Sequence, residues 1–154
     1  MRLRSISVVL VLGSWLVRPS IDLGCDSVAF PGESPNDIMS RFRERLGNKS
    51  DIVAAEQDRM VAHFAGKAGP VPYKTLEIVG FEKQRVSFEH LTGPFLACTE
   101  AFEIDGSKEG SSVTHVGQFT MRGGLLGWVL GRLWVSRLFR QHVKTELERM
   151  AALG

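Results

Sequence analysis

The sequence has few cysteines and little net charge. Its 154 residues include two cysteines, Cys25 and Cys98, and 19 Lys and Arg against 17 Asp and Glu. Two thiols so far apart in sequence do not indicate a disulfide-stapled scaffold. A net charge of +2 does not by itself indicate nucleic acid, and we expect no nucleic-acid partner. A chain of this length with 44% hydrophobic residues can bury a core without metal or disulfide.

Signatures of metal, nucleotide and hydrolase sites are also missing. The sequence has no His or Cys pair at zinc-ligand spacing, no HExxH and no GxSxG. The glycine-rich stretch GGLLGWVLGR fits neither the dinucleotide fingerprint nor the P-loop spacing. We therefore predict no metal site and no cofactor.

No hydrophobic run is long enough to span a bilayer. Residues 1–17 place two arginines before a short apolar run, the outline of a secretory signal that lacks a small-residue cleavage site. We predict a cytoplasmic protein, leave secretion open, and expect any membrane contact to be peripheral.

Residues 1–33 are interpreted as a divergent leader, or an opening strand and loop, that adds little to the core. Within them, residues 18–36 are rich in turn residues and predict a loop. The main domain is predicted to span residues 34–154.

Along the rest of the chain, the spacing of apolar residues changes twice, from helical to strand-like and back to helical. Ser34 and Pro35 precede apolar residues at helical spacing, which predicts a helix over Pro35–Leu46 that ends at Gly47-Asn48. Short segments with strand-like composition follow, separated by hairpin-length turns, and predict an antiparallel meander. They are Ile52–Glu56, Arg59–Gly66, Lys74–Phe81, Arg85–Leu91, Phe95–Ile104 and Ser112–Met121. After Gly123-Gly124, the proline-free segment Leu125–Leu153 predicts one long helix. Its first half is apolar nearly all round and is expected to be buried on all sides or exposed on only a small side. Its second half has a narrower stripe formed by Val143, Leu147 and Met150.

Three stretches carry a family resemblance over about Ser50–Leu153. They are HFAGKAGPVPYKTLEIVGFEKQRVSFEHLTGPFLACTEAFEI, SSVTHVGQFTM and GGLLGWVLGRLWVSRLFRQHVKTELERMAAL. This region resembles bacterial members of the START-like superfamily (SRPBCC-type), which includes polyketide cyclase/dehydrase and coenzyme Q-binding proteins. The resemblance implies an α+β helix-grip fold, in which a curved antiparallel β-sheet wraps around a long C-terminal α-helix. That family usually opens with a strand and two short helices, whereas only one helix is predicted here.

Two histidines are the best polar candidates in the predicted cavity. Strand alternation places His90 on the face of Val86 and Phe88, and His115 on the face of Val113 and Phe119. If the apolar faces meet the long helix, both histidines point into the space beneath it and could hydrogen-bond or protonate a ligand oxygen. His90 and His115 are therefore the catalytic candidates. The predicted ligand-binding set is Phe64, Phe88, His90, His115, Phe119, Met121 and Trp128.

Other reactive side chains have plainer interpretations. Cys98 shares its strand face with Leu96, Phe102 and Ile104 and is predicted to be a buried structural thiol. Alternation does not fix the side of His63. His142 lies on the polar half of the final helix and is expected to be exposed to solvent. Three carboxylates, Glu89, Glu100 and Glu103, could supply an acid or base, but they are expected on exposed strand faces, which normally carry such charges.

Small and aromatic residues mark the start of the final helix. Gly123, Gly127 and Gly131 recur at every fourth position, which indicates close approach to the sheet or room for a ligand. Trp128 and Trp134 lie on different faces, so one is expected to line the cavity and the other to lie near its mouth.

Three functions fit these observations. The first is binding of a hydrophobic small molecule, such as a lipid, quinone or polyketide-like compound, between the sheet and the final helix. The second, implied by the resemblance, is a cyclase/dehydratase-type enzyme in which His90 or His115 is the general acid or base. The third is docking to a membrane surface or a partner through the arginine-bearing apolar helix at Trp128–Arg140. The sequence leaves the ligand and the oligomeric state open.

Overall fold

The fold is an eight-stranded antiparallel sheet with one helix after its second strand and one long helix at the C-terminus. The computed structural model describes residues 19–24, 26–68 and 71–153. The predicted signal-like segment and Cys25 lie outside these residues. The strands are β1 (Ile21–Asp22), β2 (Asp26–Pro31), β3 (Asp51–Ala55), β4 (Arg59–Ala68), β5 (Val71–Glu82), β6 (Arg85–Thr92), β7 (Ala97–Ser107) and β8 (Gly110–Thr120). The helices are α1 (Pro35–Lys49), α2 (Gly124–Leu130) and α3 (Ser136–Ala151), and a π-helical turn at Gly131–Val135 joins the last two.

Strands β3 to β8 follow one another as a meander, as the hairpin-length turns predicted. Both β1 and β2 pair with the edge of β8 that β7 leaves free, so they form one interrupted opening strand. The interruption includes Gly24, whose φ of +77° favours glycine. The sheet is open, with β3 at one edge and the interrupted strand at the other.

The predicted loop over residues 18–36 is wrong, because Asp26–Pro31 is a strand. Val28 and Phe30 alternate toward the interior, and Phe30 is fully buried in the core. Leu23 is only 1% exposed, so residues before position 34 do contribute to the core, contrary to the expectation. The alternation of apolar residues in β2 is short and surrounded by turn-forming residues, so the sequence pattern did not indicate a strand there. The domain boundary between residues 33 and 34 stays a prediction.

Helix α1 begins with a capping box. The Asp37 amide donates to Ser34 Oγ, and the Ser34 amide donates to Asp37 Oδ2, so two backbone donors at the helix start are satisfied. The helix buries Ile38 and Phe42 and continues past the predicted end to Lys49. It is the one helix before the meander in the described part of the chain, as the sequence predicted.

The C-terminal helix is continuous, as predicted, but a π-helical turn interrupts its α-helical hydrogen bonding. Its second half buries Val143, Leu147 and Met150, the predicted stripe. Gly131 packs closely on the sheet, since a Cβ there would lie 2.5 Å from Ile21 Cδ1 and from Met121 Cγ. This confirms the close-approach interpretation for Gly131. No helix within residues 19–24, 26–68 and 71–153 is both long and apolar enough to cross a membrane.

The core consists of two apolar clusters. We call the larger one, between α1, α3 and the middle of the sheet, the main cluster; its largest fully buried side chains include Phe30, Ile38 and Ile104. The smaller one, which we call the end cluster, contains Ile21, Leu23, Cys98 and Phe119. Phe139 packs against both. This architecture is the helix-grip α+β fold that the resemblance implied.

Candidate functional site

A buried group of polar side chains lies on the inner face of the sheet, and we call it the Glu-His cluster. It consists of Glu77 on β5, His90 on β6, Glu100 on β7 and His115 on β8. Nε2 of His90 lies 2.9 Å from Glu100 Oε1, and Nε2 of His115 lies 2.8 Å from Glu100 Oε2. One carboxylate therefore bridges two imidazoles. Glu77 Oε1 lies 3.6 Å from His90 Nε2 and accepts a 2.5 Å hydrogen bond from Thr75 Oγ1.

Strand alternation and strand order bring these residues together. Strands β5 to β8 are consecutive neighbours, so inward side chains at similar heights become adjacent. The expected exposure of Glu100 is wrong, because its side chain is only 9% exposed. Glu100 lies between Cys98 and Phe102 in the alternation and therefore shares their inward face.

Glu77 was not among the predicted site residues, for a similar cause. It lies between the buried residues Thr75 and Val79, so alternation also places it inward. Charged strand residues usually face water, so alternation alone did not identify Glu77 as an inward-facing residue. The other two glutamates fit the expectation better: Glu89 is exposed, and the Glu103 side chain is 43% exposed beside Arg85.

The electrostatics of the cluster favour charge on Glu100 and His90. Burial alone would raise the pKa of Glu100, but hydrogen bonds from His115 and His90 outweigh it and lower that pKa. Burial opposes charge on His90, yet the hydrogen bond to Glu100 and the charges of Glu77 and Glu100 raise its pKa. Burial raises the pKa of Glu77 despite the nearby His90 and the hydrogen bond from Thr75. The cluster thus pairs a readily ionised carboxyl with a readily protonated imidazole.

Each histidine keeps one ring nitrogen without a partner. An ionised carboxylate only accepts hydrogen bonds, so Nε2 of both rings carries a proton that it donates to Glu100. The Nδ1 atoms of His90 and His115 are buried and have no hydrogen-bond partner among the described residues. A buried polar nitrogen without a partner costs about 1–3 kcal/mol. These two atoms can therefore pair with a polar group of a bound molecule.

Aromatic side chains surround the histidines. The His115 ring centroid lies 5.0 Å from that of Phe102 and 6.0 Å from that of Phe139. The His90 centroid lies 6.2 Å from that of Phe95. The polar cluster is therefore embedded in apolar walls, which is the composition of small-molecule sites in proteins.

The donor atoms of His90, Cys98 and Glu100 lie within 4.8 Å of one another. A histidine that binds metal usually donates its second ring N–H to an acceptor. In the described structure the second nitrogens of His90 and His115 have no such acceptor. The arrangement fits a hydrogen-bonded acid-base cluster better than a metal centre, and the expectation of no metal stays a prediction.

The structure divides the predicted ligand-binding set between two clusters. Phe88 belongs to the main cluster, and Phe64 packs against it. Phe119 belongs to the end cluster, where Met121 and Trp128 pack as partly buried residues. His90 and His115 lie beside Glu100, and their aromatic neighbours are Phe95, Phe102 and Phe139. The set as a ligand site stays a prediction.

The remaining candidates lie away from the Glu-His cluster. His63 is partly buried and alternates with the inward residues Ala62 and Phe64, so it lies on the outer face of the sheet. His142 is exposed on α3, as expected. Trp128 is partly buried, whereas Trp134 is 56% exposed.

The outer face of the sheet carries an open groove with a volume of about 930 Å³. Its lining is mixed in polarity and includes Asp22, Arg59, Arg85, Ser87, Glu89, Thr99 and Gln118. Most of these residues alternate away from the interior. The groove therefore opens on the side of the sheet opposite the C-terminal helix, although Phe88 and Glu100 of the inward-facing set also line it.

Comparisons with known proteins support the fold. No protein-family model matches the chain, and no curated protein matches it. A protein from Thermus thermophilus is 18% identical with a TM-score of 0.67, and the match covers 87% of this chain and 95% of that one. The Zhui aromatase/cyclase from Streptomyces sp. R1128 is 15% identical with a TM-score of 0.56, and the match covers 88% of each chain.

A third solved structure is a START superfamily protein from Mycobacterium smegmatis. It is 12% identical with a TM-score of 0.53, and the match covers 85% of this chain and 98% of that one. At such identities the likeness concerns the fold, and this chain has the helix-grip fold that START-like proteins share.

Proposed function

We propose that this helix-grip chain binds a hydrophobic small molecule carrying a hydroxyl or carbonyl group, held between the sheet and the C-terminal helix. The observation that carries the proposal is the His90–Glu100–His115 bridge, in which two buried Nδ1 atoms have no partner among the described residues. A ligand oxygen paired with either atom would remove the cost of leaving it unsatisfied.

The protonation state of the cluster determines which ligand groups fit. A neutral imidazole whose Nε2 donates to Glu100 presents Nδ1 as an acceptor, so it suits a ligand hydroxyl. A protonated His90, which its raised pKa favours, presents Nδ1–H as a donor and suits a carbonyl. The two histidines together can therefore orient a molecule that has both groups.

The apolar walls indicate the rest of the ligand. Phe95, Met121, Trp128 and Phe139 are partly buried and pack at the end cluster, close to the turn between β6 and β7. Aromatic and thioether side chains favour flat or flexible hydrophobic molecules. A lipid, a quinone and a polyketide-like aromatic compound all have this chemistry, and the solved structures of similar fold include an aromatase/cyclase.

Two measurements test the proposal. Native mass spectrometry of the freshly purified full chain is expected to show a co-purifying small molecule. Titration calorimetry with emodin, a flat aromatic polyketide with phenol hydroxyls, is expected to show saturable binding. His115→Ala is expected to weaken that binding about tenfold, the value of one hydrogen bond to a buried site.

Control variants separate the site from the fold. His142→Ala removes an exposed histidine on α3 and is expected to leave emodin binding unchanged. His90→Asn gives a second test if His115→Ala lowers stability, and thermal unfolding of each variant checks that it is folded. A bare mass together with no emodin binding overturns the proposal, and so does equal affinity in wild type and both site variants.

A second candidate function is cyclase/dehydratase-type catalysis. It is favoured by the number of titratable groups at the site, since a purely binding pocket needs only one polar anchor. A histidine oriented by a carboxylate is a common general base, and a neighbouring protonated histidine can serve as general acid. Here His115 would take a proton from a carbon beside a carbonyl, and protonated His90 would assist loss of water after ring closure.

The catalytic candidate has its own assay. The full chain is incubated with a linear poly-β-ketone thioester, and liquid chromatography with mass spectrometry follows the mass decrease caused by loss of water. Catalysis requires that wild type accelerates this conversion and that Glu100→Gln slows it. Binding without conversion supports the first function alone.

A further inference from the structure

A stripe of large apolar side chains is exposed at the start of the C-terminal helix. We call it the helix patch: Leu125, Leu126, Val129, Leu130, Leu133 and Trp134. Leu126 and Leu133 are each 70% exposed, and Trp134 is 56% exposed. A contiguous apolar stripe of this size on a protein surface usually marks an interaction site.

The patch faces away from the sheet. Its members occur as neighbouring pairs at every fourth position, and Gly127 and Gly131 recur at the same interval between the pairs. Both glycines are buried, and Gly131 lies against Ile21 and Met121. Since the glycine side packs on the sheet, the opposite side carries the leucines outward. The helix-grip packing in the described structure therefore leaves these side chains exposed, so the expectation that the first half of the final helix is buried on nearly all sides is wrong.

The charged residues beside the helix patch are all positive. Arg122, Arg132 and Arg137 are exposed along the same helical segment. The sequence contains no Asp or Glu from Arg122 to Thr145. Arg132 also stacks over the Trp128 ring, with 5.6 Å between its Cζ and the ring centroid. An apolar stripe flanked by arginines and ended by an exposed tryptophan is typical of helices that lie in a membrane interface.

We propose that the helix patch docks the protein on the surface of an anionic membrane, with the helix lying in the plane of the interface. The leucines and Trp134 enter the boundary between headgroups and acyl chains, and the arginines contact acidic lipid headgroups. A second copy of the chain is a poorer occupant, because a symmetric pairing would bring the two arginine sets together. The inference depends on the helix surface and does not require the interior ligand site.

The test is co-sedimentation of the full chain with vesicles. One vesicle preparation contains equal parts of phosphatidylcholine and phosphatidylglycerol, and the other contains phosphatidylcholine alone. We expect binding to the anionic vesicles, weakening at high salt, with a blue shift of tryptophan emission. Leu126→Glu/Leu133→Glu is expected to abolish this binding. Arg132→Gln/Arg137→Gln is expected to weaken it about thirtyfold, as removal of two interfacial charges predicts.

Matched variants elsewhere on the surface control for charge and hydrophobicity. Val53→Glu/Leu153→Glu alters two exposed apolar residues outside the patch, and Lys83→Gln/Lys108→Gln removes two exposed charges in turns. Both are expected to bind anionic vesicles as wild type does. Absence of vesicle binding, equal binding to both preparations, or equal loss in the controls overturns the proposal. A concentration-dependent dimer that Leu126→Glu/Leu133→Glu dissociates would also overturn it and assign the patch to a second copy. Emodin binding reports separately on the interior site.

Discussion

Nε2 of His115 lies 2.8 Å from Oε2 of Glu100, and the two side chains are 0% and 9% exposed, respectively. The two residues belong to neighbouring strands, with Glu100 on β7 and His115 on β8. A buried carboxylate is costly to hold in a protein interior unless its oxygens accept hydrogen bonds. His90 satisfies the second oxygen, so the stability of Glu100 in the core depends on both imidazoles.

Replacing Glu100 tests this dependence. Glu100→Gln keeps the shape of the side chain but removes the charge that strengthens both hydrogen bonds. We expect the free energy of unfolding to fall by about 2 kcal/mol, the usual worth of hydrogen bonds to a buried charged group. Chemical denaturation followed by circular dichroism measures the change.

The matched control lies on the same strand. Glu103 is 43% exposed and pairs with the exposed Arg85. Glu103→Gln is expected to change the free energy of unfolding by less than about 1 kcal/mol, because surface ion pairs contribute little. Equal losses for the two variants would show that burial of Glu100 has no special role.

The same cluster predicts how stability varies with pH. The pKa of His90 is raised above its ordinary value of 6.5, so its contribution to stability is complete below pH 6.5. That contribution is lost as the pH rises through the raised pKa. The pKa of Glu77 is also raised, above 4.5, so its contribution is likewise lost on going to higher pH. The lowered pKa of Glu100 acts in the opposite direction, and its contribution disappears as the pH falls below 4.5.

We therefore expect the free energy of unfolding to fall when the pH is raised from 6.5 into the alkaline range. His90→Gln removes the titrating imidazole and is expected to flatten this fall. It is also expected to shrink the acid limb due to Glu100 without abolishing it, because the hydrogen bond from His115 remains. Urea unfolding at a series of pH values gives both slopes. A wild-type stability that rises through the same range contradicts the assigned shifts.

Cys98 is predicted to be chemically inert in the folded protein. Its side chain is buried, and burial together with the charges of Glu100 and Glu77 raises the pKa of the thiol. Thiolate is the reactive form, so both access and ionisation are suppressed. In a Cys25→Ser background, we expect no reaction with Ellman's reagent at neutral pH until denaturant is added. Rapid modification of the native protein would exclude a buried Cys98.

Two glycine substitutions on helices are expected to have opposite effects. Gly131→Ala places a Cβ 2.5 Å from Ile21 Cδ1, so we expect a loss of about 1–3 kcal/mol from overpacking. Gly47→Ala on α1 meets no atom within 4 Å and is expected to stabilise the protein by about 0.5–1 kcal/mol. Thermal unfolding of the two variants gives the comparison. A neutral Gly131→Ala would argue against tight packing of the helix on the sheet.

Most of the fold could be predicted from local patterns. Alternation and turn residues located the meander, and the proline-free apolar segment located the final helix. Strand β2 was missed because its few apolar residues are embedded in turn-forming ones, and only pairing with β8 makes it a strand. The π-helical turn also could not be predicted from the local sequence, because no residue type specifies it.

The sequence predicted the two histidines of the candidate site but not its two glutamates. His90 and His115 followed from alternation with Phe88 and Val113. The same rule places Glu77 and Glu100 inward, but a charge at such a position is acceptable only when a partner meets it. That partner lies on another strand, so the sequence of one strand cannot show whether it is present.

The sequence by itself determined that His90 and His115 share a strand face with apolar residues, where the helices begin, and the arginine-bearing apolar character of the final helix. These properties depend on neighbouring residues and on periods that a chain carries locally. Only the tertiary structure decided that Glu100 bridges His90 and His115, and that Leu126, Leu133 and Trp134 remain exposed. Strand register and helix packing set those distances, and both are properties of the assembled fold, because they arise from contacts between distant parts of the chain.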